Sequence, residues 1–558
     1  MNVADLISKE LKKYVKDIFM LTGYGAMYLN NSIQKEGINI IAARNEAAAP
    51  MMAEAYAKAK NGIGAVCVTA GPGATNAIPG LAEAFVDSSP IIVISGQVEK
   101  KFISSTYKNY NIRSFGLAEF SISEAIKKLT KYSKLVLNPY ECLYELNKAI
   151  DIATSGRPGP VWLEFPLDIQ AYEIKRINKL KKYLPKKNIN KKINISSFYK
   201  SLNQSKKPIF LTGNGIKQSN SQKLFLKLVK KLKVPFMQSR FAIDICPYSN
   251  SNNLGQIGIK GQPFNKEIIQ DSDLIISFGC RFAPALTFGE PKNFAINAKK
   301  ILIDIDAQSF NHPLLKIDQF YNTDVKYFIK KIFKNIKKYQ SHKYEKQNWL
   351  KYCQNIKNNK KINLVTNKSN PIDLYYFMYQ VNKLSKKNSI FTNDAGSNYY
   401  VGGQVWYFEK KQIEIASTTN ASMGLSIPLS IGAAIAKPKL QIISITGDGS
   451  IELNIQELKT ISHYNLNIKT FVINNGGYAS MNNWHDKFFS GNRLDTSEKT
   501  GVGTLNFRNI AKAFDIQYYL IKNSEKLETD IKEIFSNNRP YLVEVVTRKD
   551  QTILGIEI

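Results

Sequence analysis

Residues 440–475 read LQIISITGDGSIELNIQELKTISHYNLNIKTFVINN. The apolar run LQIISIT predicts a buried strand that ends on the turn GDG, and IKTFVI predicts a second strand that ends on NN. Between them, NIQELKTISHY (454–464) predicts an amphipathic helix. Because such strand–helix–strand units cross over right-handed, Asp448 and Asn475 are expected at one sheet edge, where open parallel sheets bind ligands.

The residue types at this edge indicate a metal–diphosphate site. A carboxylate and an amide oxygen suit Mg²⁺, which takes one or two carboxylates and fills its other positions with phosphate and water. Gly447 and Gly449 allow a diphosphate to approach the backbone closely. Either motif alone could be an ordinary turn, but their spacing by one structural repeat favours a shared site at Asp448 and Asn475.

Apolar runs alternate with helical stretches along the rest of the chain. Strands are predicted at 38–42, 64–69, 90–95, 208–212, 273–278, 301–305, 389–392 and 541–546, and helices at 46–60 and 74–86. Strands and helices in this alternation form parallel sheets. The prediction is therefore an α/β protein with three doubly wound parallel-sheet domains, at 1–172, 198–345 and 371–558. Lysine-rich stretches at 175–196 and 355–370 are interpreted as linkers.

Length, charge and cysteine usage exclude several classes of protein. The chain of 558 residues is too long to fold around a single hydrophobic core, so several domains are expected. The net charge of +32 comes from lysines spread along the chain without a zinc-finger or RNA-binding signature, so no nucleic-acid partner is expected. No apolar run could span a bilayer and the N-terminus lacks a signal core, so no membrane is expected. The five cysteines are scattered, which favours a reducing cytoplasm.

The GDG and NN motifs resemble the thiamine diphosphate signature of the superfamily that includes pyruvate oxidase and acetohydroxyacid (acetolactate) synthase. Further stretches resemble the large catalytic subunit of acetolactate synthase in the expected order, at 44–62, 69–85, 88–98, 156–168 and 422–436. Residues 112–133 look more like the acetolactate-synthase-like enzymes of surface-polysaccharide clusters. The resemblance spans nearly the whole chain, and it implies pyrimidine-binding, central (nucleotide-binding) and diphosphate-binding domains.

The resemblance also implies a set of site residues. Glu46 corresponds to the glutamate that hydrogen-bonds to the cofactor's aminopyrimidine ring, although a carboxylate is also common at the start of a helix. Met423 corresponds to the bulky residue that holds the cofactor bent, and it would serve equally as core packing. The implied magnesium ligands are Asp448, Asn475 and the carbonyl of Gly477. The implied cofactor-binding residues are Gly396, Ser397, Ser422, Met423, Gly447, Asp448, Gly449, Ser450, Asn475, Gly477 and Tyr478.

Three further residues are implied near the reacting atoms. Gln97 matches a glutamine near the cofactor, and Trp484 matches a tryptophan that favours a larger 2-oxo acid. His485 could relay protons, since imidazole titrates near neutrality, or it could be an exposed polar residue of a helix.

The sequence departs from acetolactate synthase where that family handles its second substrate. Ala285 stands where the family has an arginine that holds the acceptor's carboxylate, and Leu117 and Ala118 replace an aromatic residue and an amide. Lys260 could supply a replacement cation. We expect decarboxylation of a 2-oxo acid, with pyruvate as donor, and acyl transfer to a carbonyl. The alternatives are a carboligase that uses an aldehyde or keto-sugar and a non-catalytic scaffold of the same fold.

The remaining expectations concern a second cofactor and assembly. The family's central domain binds FAD without redox use, and the residues that match its pattern here are Gly213, Gly215, Arg281, Asp304 and Asp306. Related enzymes keep this domain with no flavin or with an adenine nucleotide, so FAD is left open. The resemblance implies a homodimer or homotetramer in which Glu46 of one chain faces Asp448 of another.

Overall fold

The fold consists of three parallel sheets. The computed structural model describes residues 1–107, 109–110, 112–185, 193–339, 343–360, 362, 369–409, 411–417, 419–549 and 551–554. In these residues each sheet has six strands, and all strand pairs within the sheets are parallel. The predicted α/β class with three parallel-sheet domains is confirmed. The domain limits stay predictions, and parts of both predicted linkers (186–192, 361 and 363–368) lie outside the described residues.

The first sheet has the strand order β2-β1-β3-β4-β6-β5. Its strands are β1 (Asp17–Met20), β2 (Asn39–Ala42), β3 (Gly64–Val68), β4 (Ile91–Gln97), β5 (Tyr132–Leu135) and β6 (Val161–Pro166). Its helices are α1 (Val3–Leu11), α2 (Met27–Lys35), α3 (Ala48–Lys60), α4 (Pro72–Asn76), α5 (Ile78–Val86), α6 (Ile122–Ala125), α7 (Cys142–Thr154) and α8 (Leu167–Ala171). All residues of β3 and β4 are buried, which is why such strands appear in the sequence as continuous apolar runs.

The second sheet has a different strand order, β12-β11-β10-β7-β8-β9. Its strands are β7 (Pro208–Thr212), β8 (Phe236–Gln238), β9 (Asn253–Gln256), β10 (Leu274–Phe278), β11 (Lys299–Asp304) and β12 (Gln319–Asn322). Its helices are α9 (Ser196–Gln204), α10 (Gly215–Gln218), α11 (Gln222–Leu232), α12 (Asn265–Gln270), α13 (Val325–Lys334) and α14 (Lys343–Asn359).

The third sheet has the order β14-β13-β15-β16-β18-β17, which repeats the order of the first. Its strands are β13 (Ser389–Asn393), β14 (Ile413–Ala416), β15 (Gln441–Gly447), β16 (Ile468–Asn474), β17 (Gln517–Ile521) and β18 (Tyr541–Val546). Its helices are α15 (Leu374–Leu384), α16 (Ser397–Val405), α17 (Ser426–Ala436), α18 (Leu458–His463), α19 (Ala479–Phe489), α20 (Phe507–Ala513) and α21 (Leu527–Ser536).

The first and third sheets share one hydrophobic core. Helix α3 packs against helix α17, and buried side chains of both helices belong to a single apolar cluster that includes Met52 and Ile431. The small residues of both helices, such as Ala55 and Gly432, let the backbones come close; a Cβ at Gly432 would lie 2.0 Å from the Met52 carbonyl oxygen. The two domains that carry the predicted site motifs are therefore fixed to each other within one chain.

Two predicted helices differ from the structure. The stretch 454–464 is a 3-10 helix, Ile451–Glu457, followed by α18. The side chain of Asn454 donates to the Gly424 carbonyl at 3.0 Å, and Asn454 itself has a non-helical φ of −140°. The helix predicted over 74–86 is divided into α4 and α5, because Pro79 lacks the N–H that would continue the first helix.

Helix α14 runs beyond the predicted end of the middle domain at 345 and into the predicted linker. Its residues Trp349, Cys353 and Ile356 are buried against the second sheet at helical spacing. The helix was not predicted because lysines and asparagines surround these three apolar positions and make the stretch resemble a polar linker. No helix in the described residues is long and apolar enough to cross a membrane.

Candidate active site

The carboxyl edge of the third sheet brings the two sequence motifs together. Strands β15 and β16 are neighbours, with Gly447 opposite Ile473, and the Asp448 N–H donates to the Ile473 carbonyl at 3.1 Å. Asp448 and Asn475 therefore follow adjacent strands at one edge, as the crossover argument predicts.

The Asp448 carboxylate lies in a nest of backbone N–H groups. Its Oδ1 accepts from Gly449 at 2.9 Å, and its Oδ2 accepts from Gly476 at 2.8 Å and Gly477 at 2.9 Å. Burial raises the pKa of this carboxyl, and the backbone donors oppose that increase by stabilising the charge. The result is a buried carboxylate in a fixed orientation.

The side-chain oxygen of Asn475, unlike the Asp448 carboxylate, lacks hydrogen-bond donors in the described residues. This oxygen, Oδ1, is buried. An unsatisfied buried oxygen costs roughly 1–3 kcal/mol, so this atom calls for a partner from outside the chain. The carbonyl of Gly477, which accepts from the Ala479 N–H at 3.1 Å, lies in the same turn and retains a second lone pair.

These donors fit magnesium better than a transition metal. Nowhere in the described residues do three or more His, Cys, Asp or Glu side chains gather in a metal-binding group. One carboxylate, one amide oxygen and one carbonyl form a hard, oxygen-only set that leaves positions for phosphate and water, as Mg²⁺ requires.

Two glycines are required by the geometry of this edge. A Cβ at Gly449 would lie 2.4 Å from Cε1 of Tyr478, so the ring packs directly on the glycine. Gly477 has a φ of 121°, and a Cβ there would lie 2.3 Å from the Thr496 carbonyl oxygen. In contrast, a Cβ at Gly447 would meet only Ser450, at 3.6 Å, which leaves open space beside the turn.

A second group of residues, which includes the predicted Gly396 and Ser397, lies at the adjacent strand end. Asp394 follows β13 and accepts from the Thr446 hydroxyl at 2.7 Å, and burial raises its pKa to about 6. Gly396, with a φ of 94°, precedes helix α16. Ser397 is the first residue of that helix, and its buried hydroxyl has no partner among the described residues. A buried free hydroxyl at a helix N-terminus suits an anionic oxygen.

The loop that carries Met423 joins this edge. The Gly424 N–H donates to the Ser450 hydroxyl at 2.8 Å, so Met423 lies next to the turn that contains Asp448. Ser422 points elsewhere, since its hydroxyl donates to Glu83 of helix α5.

Glu46 lies in the first domain, between β2 and α3. Its Oε2 accepts from the Asn76 amide at 2.8 Å, and its Oε1 faces Gly73, where a Cβ would lie 3.3 Å away. Within the described part of this single chain, no hydrogen bond or ion pair joins Glu46 to the Asp448 turn. Asp448, Asn475 and Gly477 therefore share one sheet edge, and Glu46 makes no described polar contact with that edge within one chain.

Gln97 is buried and its amide is fully used inside the first domain. Its Nε2 donates to Glu164 at 2.7 Å and to the Phe120 carbonyl at 2.8 Å, and its Oε1 accepts from the Val98 N–H at 2.9 Å. Burial raises the pKa of the Glu164 carboxyl to about 7.

Trp484 and His485 lie on helix α19, near the surface. The Trp484 ring stacks on Phe488, with centroids 5.6 Å apart, and His485 Nδ1 lies 3.4 Å from the Leu494 N–H. Leu117 is 95% exposed, so the segment predicted to leave room at the site borders open solvent in this chain.

A cavity of about 1140 Å³ is lined mainly by residues of the first and second domains, with Tyr399 and Thr419 of the third. Gly213, Gly215, Arg281 and Asp304 of the predicted nucleotide pattern line it, together with Ala285 and Lys260. Asp306, the fifth residue of that pattern, pairs with Arg157 at 3.1 Å.

Lys260 is held within this cavity by aromatic rings. Its Nζ lies 4.5 Å and 4.8 Å from the ring centroids of Tyr399 and Tyr400. Burial, assisted by the nearby Arg240, lowers its pKa to about 8. Lys260 and Ala285 therefore line one cavity.

Sequence reasoning missed two buried carboxylates, Glu83 and Glu457. Each hydrogen-bonds to a loop of the other sheet's domain. Neither has a signal in the sequence, because each occupies an ordinary position in a helical pattern.

Comparison with known proteins identifies all three domains. Residues 1–115 match the N-terminal TPP binding domain of thiamine pyrophosphate enzymes (thiamine pyrophosphate is the same compound as thiamine diphosphate). Residues 195–332 match the central domain of these enzymes, and residues 394–545 match their C-terminal TPP binding domain.

Three relatives illustrate the similarity to curated proteins. The acetolactate synthase large subunit of Lactococcus lactis subsp. lactis is 29% identical over 560 residues, which cover 99% of this chain and 93% of that protein. The probable acetolactate synthase large subunit of Methanocaldococcus jannaschii is 29% identical, with 98% and 92% covered. The acetolactate synthase large subunit of Buchnera aphidicola subsp. Schizaphis graminum is 31% identical, with 88% and 84% covered. The chain therefore belongs to the acetolactate synthase large-subunit family of thiamine pyrophosphate enzymes and has a thiamine pyrophosphate-dependent, acetolactate synthase-like activity.

Proposed function

We propose that this enzyme removes carbon dioxide from a 2-oxo acid, with pyruvate as donor, and transfers the remaining acyl unit to an acceptor carbonyl. The observation that carries the proposal is that the amide oxygen of Asn475, next to the Asp448 carboxylate and its backbone donors, has no partner in the part of the chain that the structure describes. When bound, the thiazolium ring of thiamine diphosphate supplies the electron sink that a 2-oxo acid needs to lose its carboxylate.

Magnesium is the proposed bridge between the chain and the diphosphate. Asp448, Asn475 and the Gly477 carbonyl are its proposed ligands. The diphosphate is proposed to lie against Gly447, Gly449 and Ser450 and against the helix start at Gly396 and Ser397. The open space at Gly447 supports this assignment, as does the Ser397 hydroxyl, which has no partner within the described ranges.

Glu46 is proposed to hydrogen-bond to the pyrimidine ring, and Asn76 would hold its carboxylate in place for that contact. Met423 is proposed to support the bent cofactor, with Ser422 in the same loop and Tyr478 lining the site. The remaining proposed residues are Gln97, Trp484 and His485. Because the Gln97 amide is already bonded to Glu164 and Phe120, Gln97 is proposed to act by shaping the wall of the site.

The acceptor has two candidates. The names of the relatives favour acetolactate formation. Ala285 favours an aldehyde or keto-sugar, because a methyl group cannot pair with an acceptor's carboxylate. The loss of one charge-assisted hydrogen bond corresponds to about 1.5–3 kcal/mol, or roughly 10- to 150-fold in specificity. Lys260 lines the same cavity and is the proposed source of a replacement cation.

The test is to incubate the enzyme with magnesium, thiamine diphosphate and pyruvate, alone and with a panel of aldehydes, ketones and nucleotide-linked keto-sugars. Carbon dioxide release measures the first half of the reaction, and mass spectrometry identifies the product. Efficient acetolactate formation from pyruvate alone would reject the keto-sugar alternative. Absence of carbon dioxide release from every 2-oxo acid would reject the proposed chemistry.

We further propose a flavin or adenine nucleotide in the cavity that is lined mainly by the first and second domains. The turn residues and acidic side chains of the second sheet that line it support this proposal. The absorption spectrum of the purified protein, followed by chromatography of the released ligand, tests it.

The proposed assembly is a homodimer or homotetramer in which Glu46 of one chain completes the metal edge of another. Among the described residues of one chain, no hydrogen bond or ion pair joins Glu46 to the Asp448 turn, which supports this arrangement. Light scattering that shows a fully active monomer would contradict it. A cytoplasmic location remains a proposal and agrees with the free, buried state of all five cysteines.

A further inference from the structure

The first and third sheets have the same strand order, and the proposed cofactor contacts occupy equivalent places in them. Glu46 follows the second strand of the first sheet, β2, and Met423 follows the second strand of the third, β14. The helices that begin directly after these two loops, α3 and α17, pack against each other. The two loops therefore lie on opposite sides of one internal interface.

Glu457, from the third domain, reaches across this interface. Its Oε1 accepts from the backbone N–H groups of Arg44 at 2.9 Å and Asn45 at 3.0 Å. Its Oε2 accepts from the Thr460 hydroxyl at 2.7 Å, so the carboxylate itself is anchored. The next residue along the chain after Asn45 is Glu46, whose backbone direction is thereby set by a side chain of the other domain.

Glu83, from the first domain, reaches across in the opposite direction. Its Oε1 accepts from the Asn420 amide at 2.7 Å and from the Ser422 hydroxyl. Ala421 between them has a φ of 54°, a conformation that costs an alanine about 1–2 kcal/mol and needs outside support. The next residue after Ser422 is Met423.

We infer that Glu457 and Glu83 are a reciprocal pair of positioning residues, each of which holds, from the opposite domain, a loop that presents a cofactor-contacting side chain. The inference rests on the proposed roles of Glu46 and Met423. Both carboxylates have 0% exposure, where an unpaired charge is strongly disfavoured. Packing alone could be achieved by apolar side chains at lower cost. An apolar side chain could not accept the hydrogen bonds that these two loops donate.

Matched variants distinguish the loss of a hydrogen bond to the loop from a general loss of folding. Glu457→Asp and Glu83→Asp keep the charge but shorten the side chain by one methylene, so the carboxylate no longer reaches the loop. Glu457→Gln and Glu83→Gln keep the length and an acceptor oxygen, so they are the conservative rescue variants.

The first measurement is amide hydrogen exchange by mass spectrometry on the full-length protein without cofactor. Glu457→Asp should accelerate exchange at 44–46 by about tenfold or more, since it removes bonds to a charged acceptor, and should leave 419–424 unchanged. Glu83→Asp should loosen 419–424 and leave 44–46 unchanged. Both Gln variants should resemble the wild type. Equal loosening of both segments by either Asp variant, or no change in either segment, would overturn the inference.

Thr460→Val provides a second route to the same result if the Asp variants fold poorly. It removes the hydroxyl that anchors Glu457 and preserves side-chain volume, and it should accelerate exchange at 44–46 in the same direction. Wild-type exchange at 44–46 in this variant, together with failure of the Asp variant to fold, would also overturn the assignment of Glu457.

The second measurement separates positioning from binding. In Glu457→Asp, deuterium exchange at the thiazolium C2 of bound thiamine diphosphate should slow by about ten- to a hundredfold, as small displacements of a catalytic group do. The dissociation constant of the cofactor should stay near the wild-type value, because Glu457 does not touch the ligand. A purely structural role would change the amount of folded enzyme and leave this rate per bound cofactor intact. If wild-type protein binds no thiamine diphosphate, the proposed function fails. The amide exchange of the cofactor-free variants at 44–46 and 419–424 still tests the inference in that case.

Discussion

Two adjacent asparagines allow the proposed metal site to be tested without confusion between binding and folding. Asn475 Oδ1 is buried and has no hydrogen-bond partner among the described residues. The neighbouring Asn474 is fully engaged, since its Nδ2 donates to Glu544 at 2.7 Å and its Oδ1 accepts from the Gly476 N–H at 3.3 Å. The two substitutions Asn475→Ala and Asn474→Ala should therefore have opposite effects.

Asn475→Ala should leave the cofactor-free protein as stable as the wild type or slightly more stable. Removal of an unsatisfied buried oxygen saves roughly 1–3 kcal/mol, which offsets the lost packing of a small side chain. Loss of residues that only support metal ligands typically costs about 10- to 100-fold in affinity, so loss of a direct ligand should cost about 100-fold or more, near 2.7 kcal/mol. The magnesium-dependent binding of thiamine diphosphate should fall by that amount.

Asn474→Ala should behave in the reverse way. Loss of two hydrogen bonds, one of them to the Glu544 carboxylate, should destabilise the cofactor-free protein by about 2–4 kcal/mol. The magnesium dependence of binding should remain. Titration calorimetry at several magnesium concentrations measures the affinity, and thermal unfolding without cofactor measures the stability. Wild-type affinity in Asn475→Ala, or loss of magnesium dependence in Asn474→Ala alone, would refute the assignment of Asn475 as a ligand.

Three further substitutions test other parts of the site. Glu46→Gln should reduce carbon dioxide release from pyruvate by about 10²- to 10⁴-fold with little change in cofactor affinity, as loss of a proton-transfer partner does; turnover close to wild type would remove Glu46 from its role. Gly449→Ala should abolish cofactor binding, because its Cβ would lie 2.4 Å from the Tyr478 ring, and the double variant with Tyr478→Ala should regain part of it; binding unchanged in the single variant would contradict the contact. Glu164, whose pKa is raised to about 7 by burial, should make the protein less stable as the pH rises from about 4.5 to 7, because the unfolded chain ionises first; the loss should approach about 3 kcal/mol. Thermal unfolding across this range should show a shallower slope in Glu164→Gln than in the wild type, because other buried carboxyls, such as Asp394, contribute to the slope in both proteins.

The shared sheet edge of Asp448 and Asn475 was predictable because its two determinants are local. Apolar runs identified β15 and β16, and the right-handed crossover placed their carboxyl ends together. Asp448 and Asn475 could then be placed at that edge, because each comes directly after the end of one of these strands in the sequence. The same local signals identified β7, β10 and β18 closely, since buried parallel strands are continuous apolar runs.

What the sequence did not reveal depends on contacts between distant segments. The 3-10 turn at Asn454 arises because its amide reaches Gly424, thirty positions earlier in the chain. The Gln97 amide is committed to Glu164 across the first sheet. Glu457 looks like a solvated residue of an amphipathic helix until the first domain covers it. No periodicity in one segment encodes such partners.

The lysine-rich composition also acquires a structural meaning that the sequence alone did not supply. Lys131 donates to the carbonyls of Ile152 and Ser155 at the end of α7, and Lys469 donates to the carbonyls of Asn537 and Arg539 after α21. Helix ends leave carbonyls without partners, and a cation there is favourable. Part of the positive charge therefore serves to satisfy backbone carbonyls inside the fold.

The internal interface and the proposed assembly have a joint consequence. Met423 lies beside the Asp448 turn of its own chain through the bond between Gly424 and Ser450, whereas Glu46 is proposed to face the Asp448 of a second chain. The α3–α17 interface of one chain therefore carries loops that serve two different sites in the oligomer. Glu457 and Glu83 lie at that interface with no water-exposed surface. Because each carboxylate belongs to the domain opposite the loop that it contacts, we expect a change in the order of one loop to alter the environment of a carboxylate in the domain that carries the other loop.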